Sequence, residues 1–123
     1  MALVRYLVDD VDAAIAFYTG QIGFTLDQRM GPAFAVVSYG DLSLWLSGPQ
    51  SSAARPMPDG HRPEPGGWNR ISLEVTGLPA MIETLRKSGV HFRNDLVTGI
   101  GGNQILLDDP SGNPVELFEP RAQ

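Results

Sequence analysis

Five aromatic rings, two arginines and two glutamates are the residues of this 123-residue chain whose types suit chemistry on a small molecule. Phe34, Tyr39, Trp45, Trp68 and Phe118 offer flat apolar faces on which a planar ring stacks. Arg5, Arg70, Glu74 and Glu116 offer charged ends that orient a ligand's polar atoms. Glu116 or Glu74 can also act as a general base, with an arginine stabilising an enolate. There is no cysteine, which removes thiolate chemistry, disulfides and cysteine metal sites. His61 and His91 stand apart without ligand spacing and are expected at the surface. Asp108 and Asp109 precede Pro110-Ser111-Gly112-Asn113 and read as builders of a turn. Gly99-Ile100-Gly101-Gly102 lacks the strand and helix that frame a phosphate loop, and reads as a turn.

These residues have to be carried by regular elements. Residues 3–8 alternate as a strand, Asp9 and Asp10 offer a helix cap, and Val11, Ala14, Ile15, Tyr18 and Ile22 recur at helical spacing until Gly20 or Gly23. Three extended runs follow, at 24–28, 34–39 and 42–47, separated by Gly31-Pro32 and Gly40-Asp41. The order then repeats. A strand at 70–75 leads through Thr76 as cap into a helix with Leu78, Met81, Ile82 and Leu85 on one face, stopped by Gly89. Strands near 90–97, 103–108 and 114–119 complete the second unit. An offset of 67 superposes Val4, Tyr6 and Val8 on Ile71, Leu73 and Val75, and the two helices on each other; an offset of 71 superposes Leu44-Trp45-Leu46 on Val115-Glu116-Leu117. Internal duplication is the simplest account.

Splitting each end strand by alternation gives two different faces. One carries Val4, Tyr6, Val8, Leu42, Leu44, Leu46 and their counterparts in the second unit, an apolar set that must cover the helices. The other carries Leu3, Arg5, Leu7, Ser43, Trp45, Ser47, Arg70, Ser72, Glu74, Pro114, Glu116 and Phe118. That mixture reads as the lining of a ligand pocket, with a wetted sheet surface as the plainer alternative; a large ring such as Trp45 favours the pocket. Residues 49–68 hold five prolines and no periodicity, so the segment is either a tether between units or a lid or dimer arm.

A formal charge of -5 with both signs interspersed argues against a surface that tracks nucleic-acid phosphates. The opening MALVRYLVDD is too short an apolar run for a secretory leader, and no stretch approaches a membrane span. A soluble, cytoplasmic chain is the expectation.

Two segments carry a resemblance to a known family. VDDVDAAIAFYTGQIGF at 8–24 and DDPSGNPVELFEP at 108–120 resemble the first helix and the closing strand of the vicinal oxygen chelate superfamily, which includes glyoxalase I, bleomycin-resistance proteins, fosfomycin-modifying enzymes and extradiol dioxygenases. The resemblance spans nearly the whole chain. It implies an α+β fold in which two βαβββ modules, 1–48 and 69–120, form a curved mixed eight-stranded sheet within one domain, 1–123, joined by the 49–68 linker. In metal-dependent members, ligands come from the first and last strands of each module, and those positions here hold Leu3, Trp45, Arg70 and Glu116. Only Glu116 has a donor for a cation, so no metal and no cofactor are expected. Arg70 and Glu116 are expected to pair. Two versions stay open: the pair only balances charge and fixes the sheet, or Arg70 also grips a ligand oxygen. The implied function is sequestration of an aromatic or heterocyclic small molecule, as in antibiotic resistance of the bleomycin type, by a homodimer with no nucleic-acid or membrane partner. The alternative is a glyoxalase-like lyase, isomerase or dioxygenase-type enzyme, metal-free with Glu116 as base or with displaced metal ligands.

Overall fold

The computed structural model describes residues 1–122. The chain divides into two compact units, 1–66 and 67–123, and the division falls between two glycines, Gly66 at φ 114° and Gly67 at φ 90°, both in the left-handed region that residues with a Cβ avoid.

Unit one runs β1 (Val4–Leu7), α1 (Val11–Ile15) continued by a π-helical segment (Ala16–Ile22), β2 (Thr25–Met30), β3 (Phe34–Tyr39) and β4 (Leu42–Ser47). Asp10 caps α1, its carboxylate accepting from the Ala13 N–H at 3.1 Å. The wider turn of the π segment lets the sequence neighbours Phe17 and Tyr18 both be buried, and the segment ends where the Gly23 and Phe24 N–H groups donate to the Tyr18 carbonyl. The sheet order is β1-β4-β3-β2, with β1 parallel to β4 and the other pairs antiparallel. A parallel pair needs a long crossover, which the helix supplies. Val37, Leu44 and Leu46 are fully buried, and α1 packs on β3 and β4. Strand β2 is one edge of the sheet; all six of its residues are exposed, and a bulge falls between Leu26 and Gln28.

Unit two repeats the plan with β5 (Ile71–Glu74), α2 (Leu78–Lys87), β6 (Val97–Thr98), β7 (Gly102–Asp108) and β8 (Pro114–Pro120) in the order β5-β8-β7-β6. The duplication extends to the register: Val4 lies opposite Leu44 and Ile71 opposite Val115, so both offsets hold across the parallel pairs. Each module contributes one four-stranded mixed sheet.

Two local expectations are corrected. Thr76 does not cap α2. Gly77 occupies the cap position, and the cap is supplied from β8: the Glu119 carboxylate accepts from the Gly77 N–H at 2.7 Å and the Leu78 N–H at 3.1 Å. A strand across 90–97 also fails. Only Val97–Thr98 is a strand, with one bridge at Phe92. Upstream, backbone bonds join Arg93 to Leu106 and Asp108 to His91, but the next Leu106 contact is taken by the Asn94 side chain, and His91 and Arg93 turn their side chains to Asp108.

Candidate functional site

In unit one, Arg5 on β1 and Trp45 on β4 are register partners, and Phe34 lies opposite Ser47 on the adjoining β3. Pleating puts all of them on the face away from the buried Leu44 and Leu46. The Arg5 guanidinium sits 5.2 Å from the Trp45 ring centroid, within cation–π range. The Phe34 ring is 5.2 Å from Trp45 at an interplanar angle of 81°, so the two rings form a right-angled corner. Arg5 Nη1 donates to the buried Ser47 hydroxyl over a long 3.4 Å.

The wall facing this corner is the chain just after β4. The Gly48 N–H donates to the Ala33 carbonyl at 2.9 Å, and the Ser51 hydroxyl to the Gly48 carbonyl at 2.6 Å, ahead of a single 3-10 turn at Ser52–Ala54. Gly48 is required by close approach: a Cβ there would stand 2.7 Å from the Val11 Cγ2. The result is a cavity of about 350 Å³ lined by Arg5, Met30, Phe34, Trp45, Gln50 and Ser51 among others. Its volume suits a small molecule.

Unit two holds a different arrangement at the equivalent register. Arg70 Nε lies 3.1 Å from Glu116 Oε1, and the Ser72 hydroxyl donates to Oε2 at 3.0 Å. The Glu116 side chain is 13% exposed and Arg70 31%, so both carboxylate oxygens are engaged in a largely buried setting. Glu74 and Phe118 are register partners farther along the same two strands, the Phe118 ring reaching to 3.8 Å from the position a Gly101 Cβ would take.

The structure thus gathers Arg5, Phe34 and Trp45 in one cavity and joins Arg70 to Glu116. It sets Tyr39 and Trp68 elsewhere. Tyr39 lies on the opposite face of β3 from Phe34, its ring 5.3 Å from the buried Phe24. Trp68 lies under the Arg93 guanidinium, 4.6 Å from ring centroid to cation. Arg93 in turn donates to Asp108 at 2.6 Å, the Gly67 carbonyl at 2.7 Å and the Gly112 carbonyl at 3.0 Å, and His91 Nδ1 meets the other Asp108 oxygen at 2.7 Å. Asp109 builds the turn expected of it, taking the N–H groups of Ser111 and Asn113. His61 pairs with Asp59 at 2.8 Å on the surface, and the hydrogen bonds from its ring and backbone hold the Asp59 carboxyl below its ordinary value.

Gln50 and Ser51 of the cavity were not legible, because they fall in the aperiodic segment after β4. Ser47 and Ser72 were marked by alternation alone, which placed them on the mixed face.

The residues at the four metal-ligand positions do not suit a divalent ion. Leu3 has no lone pair, Trp45 only an N–H donor and Arg70 a fixed positive charge, while Glu116 is committed to Arg70 and Ser72. Among the described residues, no group of three or more His, Cys, Asp or Glu is placed to hold a metal.

The architecture has counterparts of known structure. A lactoylglutathione lyase from Agrobacterium tumefaciens matches with a TM-score of 0.75 at 20% identity, over 97% of this chain and 92% of that one. TnmS3, an antibiotic binding protein from Streptomyces sp. CB03234, matches at 0.70 and 25% identity, over 98% and 97%. The fosfomycin resistance protein FosX from Listeria monocytogenes matches at 0.74 and 12%, over 98% and 93%. No protein of curated function matches the sequence. The model of the Glyoxalase/Bleomycin resistance protein/Dioxygenase superfamily matches residues 1–117, the stretch that holds both repeats, and the chain therefore belongs to that superfamily.

Proposed function

We propose that this protein is a metal-free binder that sequesters a planar aromatic or heterocyclic small molecule. The observation that carries the reading is the right-angled corner of Phe34 and Trp45 in the cavity of about 350 Å³, with the Arg5 guanidinium beside it. A flat ring laid on one wall of such a corner presents its edge to the other, the two arrangements aromatic pairs prefer. The similarity to TnmS3, an antibiotic binding protein, supports the same direction. Glu116 supports catalysis less well, because a general base needs a free oxygen within reach of a substrate proton, and one of its oxygens is ion-paired with Arg70 while the other accepts from Ser72. The lack of cysteine supports a cytoplasmic setting. The family resemblance supports a homodimer.

Calorimetric titration with neutral bicyclic aromatics such as quinoline and 2-naphthamide tests the reading. We expect a micromolar Kd, no change in the titrant on recovery, and a loss of at least about tenfold in Trp45→Ala as one ring wall and its buried area disappear. Stoichiometric uptake of Ni, Zn, Mn or Fe by elemental analysis, or no binding of any ring compound, overturns it.

A further inference from the structure

We propose that the cavity of unit one selects an aromatic acid, with Arg5 holding the ligand's carboxylate while its ring lies in the Phe34–Trp45 corner. The proposal rests on the reading of that cavity as a ring-binding site and adds the charge of what it takes.

The duplication supplies the argument. At the shared register, Arg5 and Trp45 of unit one correspond to Ser72 and Glu116 of unit two. In unit two a cation and a carboxylate neutralise each other, Arg70 against Glu116, and the carboxylate's second oxygen is met by Ser72. In unit one the position of that carboxylate is taken by Trp45. The cation has no anion. Arg5 makes no ion pair among the described residues, and its one hydrogen bond is the 3.4 Å contact to Ser47, which leaves most of its five N–H groups free. It is the one charged side chain of the lining; the rest is apolar or carries a neutral amide or hydroxyl, as Gln50 and Ser51 do.

The Arg5 guanidinium stands within cation–π range of the Trp45 indole with most of its N–H groups unclaimed, and its planar fork of donors matches the two oxygens of a carboxylate. A phosphate fits less well. It carries more charge than one cation balances, and Arg5 is the one charged side chain of the lining. A cationic aromatic would meet the like charge of Arg5 and no anion among the lining residues. The cavity is therefore complementary to a flat ring with one carboxylate on its edge, and the uncharged amide of the same shape lacks the charge-assisted half of the contact.

The test compares 2-naphthoate with 2-naphthamide by calorimetry on the full chain at low salt. We expect the acid to bind about tenfold more tightly, the ratio to shrink in 0.5 M NaCl, and Arg5→Met to bring the two probes to equal Kd. Because the ratio is measured first on the unaltered protein, a variant that fails to fold leaves the outcome decided. Equal or tighter binding of the amide, with Trp45→Ala still weakening it, overturns the selection of an acid and leaves the ring-binding reading standing. Binding of neither probe overturns both.

Discussion

At the scale of single residues, Glu116 is a carboxylate held between two partners of its own unit. A carboxylate 13% exposed is costly unless each oxygen has a partner, and Arg70 and Ser72 take one each. Removing the arginine leaves the charge with a single neutral donor. We expect Arg70→Met to lower stability by about 1–3 kcal/mol, less than for a fully buried pair because Arg70 is partly solvated. A double variant, Arg70→Met with Glu116→Leu, should recover most of that loss, since it removes the stranded charge as well. Urea midpoints at unchanged slope measure both. An unaltered midpoint in the single variant would show that the pair contributes nothing to folding.

At the scale of elements, the helix caps separate what periodicity reveals from what it hides. The cap of α1 is local: Asp10 reaches three residues ahead to Ala13, and the sequence signals it. The cap of α2 is not. Glu119 lies 42 residues from Gly77, and nothing in the helix's own sequence points to it. Its charge on the first N–H groups also complements the helix dipole. We expect Glu119→Ala to cost about 1–2 kcal/mol and Glu119→Gln an intermediate amount, because the amide keeps an acceptor and loses the charge. Thermal unfolding followed at 222 nm distinguishes them; equal loss in both would assign the whole effect to charge.

The same division governs the fold and the site. Strands β3 and β4 were legible to the residue because glycine turns bracket them and apolar residues alternate inside them. Alternation also placed Arg5, Trp45, Ser72 and Glu116 on one kind of face, and it could have excluded Tyr39, which has the parity of the buried Ala35 and Val37 rather than of Phe34. The segment 90–96 misled because its β-favouring composition is overruled by partners on β7 and the turn beyond it. Gln50 and Ser51 reach the cavity through hydrogen bonds around Gly48, and such contacts leave no period in a sequence.

At the scale of the whole molecule, what matters is how the proline-rich segment is joined to the second unit. Glycine at both positions lets the junction take its left-handed turn, and ordering two glycines carries a large backbone-entropy cost that is offset where the chain is tied down. Arg93 is the tie. Its guanidinium, 16% exposed, binds the Gly67 carbonyl on one side, Asp108 and the Gly112 carbonyl on the other, and covers the Trp68 ring. Trp68, 72% exposed, is held there as part of the clasp. We expect Arg93→Met to cost about 2–4 kcal/mol by stranding Asp108 and two carbonyls, and Arg93→Lys to restore only part, since an ammonium cannot make the three-way fork. Local release should exceed the global loss. Under native conditions, chymotrypsin should cut after Trp68 severalfold faster in Arg93→Met than in the unaltered chain, as the junction opens without unfolding the unit. If cleavage after Trp68 keeps its rate while the urea midpoint falls, Arg93 secures β7 and its turn and the junction is held by something else.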